Sequence, residues 1–314
     1  MIQDQLINLL ETAIAKRQAL RGQTNALRLV NGWGDGLEGL FLEQYDRHFA
    51  AQIFDKSWLS HGDALASFLK ERLNAEYFIV KDRSKSASPE AITPYVWIDA
   101  APSKTVIHEN SLKFSVDLND GLNSGLFLDM RCNRRLVSEL SRDKKVLNCF
   151  SYTCSFGVYC RREGAGEVVN VDISRKSLER GRANYELNGL AFARNEFIKA
   201  DAREYLERAA QKDNRFDLII LDPPSFARHE GKTFSVKNDF ADLVSKSIKV
   251  LNPGGVIFLA TNYSAMSEDN LNGLVHDALA GRTIRKMRAL GQDADFPGTN
   301  TMQESYLAAV LVEL

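Results

Sequence analysis

Absences bound this sequence before any motif does. Its 314 residues hold no apolar run near the ~20 residues that span a bilayer. The amino-terminal stretch MIQDQLINLLETAIAKRQAL carries Asp4 and Glu11 and no small-residue cleavage site, which argues against a secretory signal. Cysteine is scarce: Cys132, Cys149, Cys154 and Cys160 are all there is, and none is paired as C-x-x-C. Neither a thiolate metal site nor a disulfide framework is expected, and the reduced thiols of a cytoplasmic protein are. The five histidines are scattered and suggest no metal site. An excess of one charge is also missing. A net charge of −1 gives no global attraction to nucleic acid, so such binding must rest on local patches. Repeats and low-complexity tracts are absent. With 44% hydrophobic and 26% charged residues, the chain has an ordinary globular composition and length enough for two domains.

What is present falls into two halves, expected as domains over residues 1–120 and 121–314. Ile2, Leu6, Leu9, Leu10 and Ile14 mark one face of an amphipathic first helix. Strand-like runs follow at 27–30, 37–43 and 48–54, the first two separated by the turn NGWGDG, where glycine admits positive φ. Helical spacing covers 58–73, and strands are expected at 77–80, 95–98 and 112–116, with the polar loop DRSKSASP between the first two of these. This half reads as a small α+β unit on the substrate side. From residue 146 strands (146–150, 167–171, 196–199, 216–221, 256–260) alternate with helices (155–162, 174–188, 202–210, 236–251). Such alternation implies βαβ units and a mainly parallel, Rossmann-like α/β sheet. Residues 284–290 and 305–314 look like two closing strands joined by a polar loop.

Strand ends are where an open α/β sheet binds its ligands. The run FDLIIL ends on Asp222, and Pro223 and Pro224 follow; with no backbone donors and fixed φ they form a stiff exit rim rather than more ladder. The exit of the first strand, NCFSYTCSFG, lacks the G-x-G-x-x-G fingerprint, which argues against a dinucleotide enzyme. Its small polar residues Ser151, Thr153 and Ser155 still let backbone approach a ligand. The second strand ends on Asp172, placed either to accept both hydroxyls of a ribose or to cap the helix near Ser174. The third leads to Asp201, a partner for an adenine amino group or a cap for the next helix. Three acids at successive strand ends, with no phosphate loop, describe a pocket for adenosine without pyrophosphate. S-adenosyl-L-methionine is a ligand of that kind.

The segments LRLVNGWGDGLEGLFLEQYDRHF, GLFLDMRCNRR, VLNCFSYTCSFG, VVNVDIS and LDPPSF, in this order, resemble one family: the class I methyltransferases of bacterial large-subunit (23S) ribosomal RNA of the RlmI and RlmK type. The resemblance covers nearly everything from Leu27 onward. It implies a Rossmann-like sheet with an antiparallel last strand, S-adenosyl-L-methionine as methyl donor (S-adenosyl-L-homocysteine as product), and ribosomal RNA as acceptor. It further implies that Phe127, Asp129 and Arg131 line the cofactor pocket with Asn148, Phe150, Ser151, Tyr152, Thr153, Asp172, Ile173, Asp201, Ala202 and Asp222. From the residues alone, 129–140 reads as a helix with an acidic first turn and a solvated basic face. The chain departs from the family in three places. The PUA domain that begins RlmI-type chains has no counterpart, a helix of about twenty residues standing there instead. Asn148 replaces the usual acid, and Cys154 replaces the glycine of SYTG, at a cost of roughly 1 kcal/mol if that position needs positive φ.

Methylation of a pyrimidine at carbon-5 needs a thiolate to add at carbon-6. RlmI-like members carry that cysteine after the fifth strand, where this chain reads LATNYS, and all four cysteines precede residue 161. DPPSF and ATNYS are closer to the RlmK pattern, which implies guanine N7 as acceptor. Asp222, Pro223, Pro224 and Phe226 are then the candidate catalytic residues, with Phe226 stacking the flipped base or only packing at the rim. Asn262 and Tyr263 are candidates to bond base edges. Other base atoms (cytosine carbon-5, an exocyclic amine) and a non-catalytic cofactor-binding assembly factor are the alternatives. RNA grip is expected from three basic clusters: Arg131, Arg134 and Arg135; Lys81, Arg83 and Lys85; Arg228, His229 and Lys232.

Overall fold

The first helix forms where the apolar spacing places it. In the computed structural model, which describes residues 3–84, 94–229, 232–263, 265–279, 282–298 and 307–314, α1 spans Gln3–Lys16 and buries Leu6, Leu10 and Ala13. Contacts divide the chain into two units. One comprises Met1–Arg131 with Asp293–Glu304, the other Cys132–Gln292 with Ser305–Leu314.

The first unit is built on a five-stranded sheet in sequence order: β1 (Ala26–Asn31), β2 (Leu40–Tyr45), β3 (His48–Ile53), β4 (Tyr77–Asp82) and β5 (Pro94–Asp99). The β3–β4 pair is parallel and needs a crossover, which α2 (Gly62–Leu73) provides while burying Leu65, Phe68 and Leu69. The helix expected over 58–73 is split, its first part becoming a 3₁₀ segment at Lys56–His61. Gly62 marks the break: a Cβ there would lie 2.2 Å from the Trp97 indole, so the close approach of β5 depends on glycine. Gly36, at φ 73°, closes the NGWGDG turn. A separate hairpin joins β6 (Lys104–Glu109) and β7 (Leu112–Asp117) through Asn110 and Ser111, both at positive φ.

Segment 293–298 belongs to this unit through buried charge. Arg131 contacts Asp293 at 2.9 Å and Asp295 at 2.6 Å. The Arg28 amide donates to Asp295 at 2.8 Å. Arg17 donates to both oxygens of Asp35 at 2.7 and 2.6 Å and to the Asp295 carbonyl at 2.9 Å. Burial works to raise Asp35, but the hydrogen bonds and charge of Arg17 outweigh it and hold the carboxyl below its usual range. Removing one partner of such a buried pair typically costs about 3–5 kcal/mol.

The second unit begins one residue into α3 (Arg131–Ser138) and runs on through β8 (Lys145–Cys149), α4 (Ser155–Arg162), β9 (Glu167–Asp172), α5 (Arg175–Leu187), β10 (Phe197–Lys199), α6 (Ala202–Gln211) and β11 (Phe216–Leu221). A hairpin follows, β12 (Phe226–His229) with β13 (Lys232–Ser235), then α7 (Val236–Lys249), β14 (Leu251–Thr261), α8 (Glu268–Ala278), β15 (Lys286–Leu290) and β16 (Ala308–Glu313). The sheet order is β10-β9-β8-β11-β14-β16-β15. All pairs are parallel except β14–β16 and β15–β16, so the expected antiparallel last strand is β16. Strands β8 and β11 form the middle, with Val146, Leu147, Leu218, Ile219, Ile220 and Leu221 fully buried, each worth about 1.5–3 kcal/mol. That burial on both faces is why their sequences are continuous apolar runs.

Candidate active site

From β8 the sheet grows through β9 and β10 toward one edge, and from β11 through β14 toward the other. The topological switch point, where ligands enter open α/β sheets, lies between β8 and β11. Register aligns the carboxyl ends around it: Cys149 pairs with Val171 and Leu221, Asp172 with Lys199, and Leu221 with Leu259.

The loop after β8 folds tightly without glycine. Phe150, Tyr152 and Cys154 take φ of 55°, 48° and 60°, each costing about 1–2 kcal/mol for an L-residue. Hydrogen bonds hold it there. The Ser151 amide donates to the Val171 carbonyl at 3.1 Å, Cys154 N to the Ser151 carbonyl at 2.7 Å, and Asn184 Nδ2 to the Thr153 carbonyl at 3.0 Å. Tyr152 N donates to Asp172 Oδ2 and Ser174 N to Asp172 Oδ1, both at 2.8 Å. Asp172 thus fixes two strand-end loops. Burial raises its pKa more than the amides of Ser174, Tyr152 and Ile173 lower it.

Helix α5 is capped by Ser174, whose side chain accepts from Ser177 N. Asp201 caps α6, accepting from the amides of Arg203 and Glu204. Burial pushes Asp201 up, but the hydrogen bond and charge of Arg203 with these amides bring it below the usual value. Asn148 is buried and donates to Asn170 Oδ1 at 2.9 Å, while Asn170 donates to the Tyr185 hydroxyl at 3.2 Å. Around Asp222, Pro223 is buried and Pro224 exposed; Phe226 opens β12 and is 54% exposed. Ser225 Oγ donates to Asn262 Oδ1 at 2.7 Å, tying the loop after β11 to the one after β14. Phe150 packs on Phe234 of β13, ring centroids 5.5 Å apart.

Residues 76–309 match the S-adenosylmethionine-dependent methyltransferase family. The chain belongs to that family. It is 34% identical to Ribosomal RNA large subunit methyltransferase I of Aeromonas salmonicida over 95% of this chain and 76% of that protein. It is 32% identical to the protein of the same name in Tolumonas auensis, over 96% and 78%. Among solved structures, SMU.776 complexed with SAH superposes with a TM-score of 0.92 at 26% identity, covering all of this chain and 82% of the other. The expected Rossmann-like methyltransferase fold and methyl donor are therefore those of this protein.

The donor set of the methyltransferase suits S-adenosylmethionine. Carboxylates at the ends of β9, β10 and β11 favour hydroxyls and positive charge and would repel phosphate. The sulfonium and ammonium of the ligand supply that charge. Cys149 Sγ feels Asp201 and Asp172, which add to burial in raising its thiol. Ile173 is half-buried and Ala202 buried, each next in sequence to one of these acids.

Phe127, Asp129 and Arg131 belong to the first unit. Phe127 is 41% exposed, Asp129 is half-buried in the turn Leu128–Met130, and Arg131 is fully buried on its two aspartates. The basic clusters require correction. Arg131 and Arg134 are buried, so they are not a solvated face, although Arg135 is exposed. Lys81 is buried, its Nζ on the Leu122 carbonyl at 3.3 Å. Lys85 and the side chains of Arg228, His229 and Lys232 lie outside the described residues. Sequence reasoning missed Gly181, Asn170 and Asn184. The signal for Gly181 was present, since an isolated glycine within a helical pattern usually has a packing reason.

Proposed function

We propose that this methyltransferase transfers a methyl group to guanine N7 in large-subunit ribosomal RNA. The relatives' names support the RNA class, and one feature of the rim supports the atom. Ser225 and Asn262 join across the two strand ends where a carbon-methylating enzyme would need a thiolate. All four cysteines precede residue 161, and Cys149, Cys154 and Cys160 are buried with their thiols raised, Cys160 to about 12, by desolvation.

N7 carries an in-plane lone pair at neutral pH, so no general base has to act first. The lone pair attacks the methyl carbon, the carbon–sulfur bond breaks, and S-adenosylhomocysteine leaves as a neutral thioether. What the residues supply is position. Asp172 would accept the ribose hydroxyls and Asp201 the adenine amine, with Ile173 and Ala202 against the ring. Backbone of Phe150, Ser151, Tyr152 and Thr153 would line the methionine side with Asn148 and Asp222. Pro223 and Pro224 hold the wall, and Phe226 stacks the flipped base. Because Ser225 donates to Oδ1 of Asn262, the amide's two N–H donors face away from it, matched to an acceptor such as guanine O6. Nucleoside mass spectrometry of large-subunit RNA from strains with and without the gene tests the proposal. Loss of 7-methylguanosine is the expected result. Loss of 5-methylcytidine would overturn the atom, and an unchanged profile would overturn the RNA reading.

A further inference from the structure

On the first unit, cations and rings alternate in a row. The Arg28 guanidinium on β1 lies 4.7 Å from the Phe296 ring centroid and 5.2 Å from that of Phe41 on β2. Phe41 meets Phe54, just beyond β3, edge to face at 5.3 Å. Arg83, just beyond β4, ends the row 5.0 Å above Phe54. Exposure rises along it, from Phe296 at 3% to Phe54 at 47%. The inner members explain themselves as packing, but the outer end does not.

Arg83 differs from the other arginines that this unit removes from water. Arg17 has Asp35, Arg28 has Glu43 and Arg131 has Asp293 and Asp295. Arg83 donates to Gln52 Oε1 at 3.0 Å, and among the described residues it has no carboxylate within 4.0 Å. Burial lowers its pKa with no acid to offset the loss of water. A half-desolvated guanidinium with no acid partner among the described residues carries electrostatic demand that they do not meet. Ser84, next in sequence, lines a cavity of about 800 Å³ with Phe54, Lys56, Trp58 and His61, and the acids Glu38 and Asp55 line it too. The Lys56 ammonium lies 3.7 Å from Asp82. With Glu38 and Asp55 in the lining, the combination is an exposed ring, a guanidinium with no acid partner among the described residues, hydroxyls and an imidazole around a nucleotide-sized space. These are the parts from which single-stranded nucleic-acid sites are made, where bases stack on aromatic faces and backbone phosphates meet Arg and Lys.

We propose that Phe54, Arg83 and the adjoining cavity bind one nucleotide of a single-stranded RNA segment, the base on the Phe54 ring and the phosphate on Arg83. The site rests on RNA being the substrate and adds a second RNA contact outside the catalytic rim. It serves affinity, because ring and cation accept any base.

The test uses the full chain and a short fluorescein-labelled single-stranded RNA followed by anisotropy. Phe54→Ala should weaken binding about 10-fold, within the range of one lost base stack, and Phe54→Trp should restore it. Arg83→Gln should lower affinity and reduce the salt slope by about one. S-adenosylmethionine affinity by calorimetry should be unchanged in all three variants. Should Phe54→Ala lose that affinity, and hence its fold, Arg83→Gln decides. Wild-type RNA affinity in Phe54→Ala, or an unchanged affinity and salt slope in Arg83→Gln, overturns the site. Displacement of the RNA by adenosine monophosphate at equimolar concentration overturns its assignment to RNA in favour of a free nucleotide. Each of these results leaves wild-type methylation of ribosomal RNA standing, whereas absent methylation with RNA binding intact would sink the catalytic reading alone.

Discussion

Asp172 is the residue on which cofactor and fold make competing demands. Its oxygens accept the backbone amides of Tyr152 and Ser174, the Ile173 amide also acts on the carboxylate, and a carboxylate with about four lone-pair sites keeps room for a ribose hydroxyl. The sequence left open whether this acid served a ligand or a helix cap. In the structure the cap of α5 is Ser174, two residues after Asp172, while Asp201 does cap its helix. A pH dependence follows from the burial of Asp172. Its pKa is raised above the usual carboxylate value, so the charged form is disfavoured in the free protein. Its contribution to folding stability is complete below the ordinary value near 4 and is lost as pH rises through the raised one. Cofactor binding needs the opposite form. S-adenosylmethionine affinity should rise as pH climbs through the raised pKa and then level off, and Asp172→Asn should remove that rise. Calorimetric titration from the ordinary carboxylate range near pH 4 upward measures it; a flat wild-type profile would contradict this role.

Among the elements, the fit of α5 against the loop after β8 explains how Cys154 stands where the resembling family has glycine. The cysteine is buried in the left-handed region as the residue before α4. Its sulfur occupies the space a side chain at Gly181 would take, since a Cβ there would lie 2.3 Å from Sγ and 3.0 Å from the Cys154 Cβ. Backbone strain at one position is thus tolerated by the absence of a side chain at another. Gly181→Ala should destabilise the protein by about 1–3 kcal/mol through overpacking, although alanine is the better helix former. In a Cys154→Gly background most of that loss should vanish, and denaturant unfolding of the four proteins closes the cycle. Additive effects would show that the two positions do not share the space.

Elements with strong periodicity were legible: α4 forms over Ser155–Arg162 and β11 over Phe216–Leu221, as their apolar spacing implies. Three others were not. β6, KTVIHE, buries only Ile107 and Glu109, so no clean alternation marks it. The hairpin β12–β13 follows two prolines, and α8 is rich in Asn and Asp, with a capping Ser267 as its clearest cue.

At the scale of the whole molecule, the mainly parallel sheet and the methyl donor were legible in the sequence for different reasons. Alternation of strand and helix implied the parallel sheet, and three strand-end acids implied an adenosine ligand without phosphate. The return of 293–298 to the first unit was not legible. It depends on Asp293 and Asp295 meeting arginines far away in sequence, Arg17 lying 278 positions from Asp295, and lone charges in polar loops carry no pattern. The same holds for Phe54 and Arg83, ordinary residues until β3 and β4 pair in parallel and bring their ends together. Among the described residues no helix is long and apolar enough to cross a membrane, and no cluster of His, Cys, Asp and Glu could hold a metal ion.

The central claim is that the rim at Asp222 positions an RNA base for methyl transfer. The most direct measurement is transfer of a labelled methyl group from S-adenosylmethionine to large-subunit ribosomal RNA by the purified wild-type chain and by Asp222→Ala, with unfolding recorded for both. The account predicts transfer by the wild type and its loss, by at least about 100-fold, in a variant that unfolds as the wild type does. Full transfer by Asp222→Ala would contradict it.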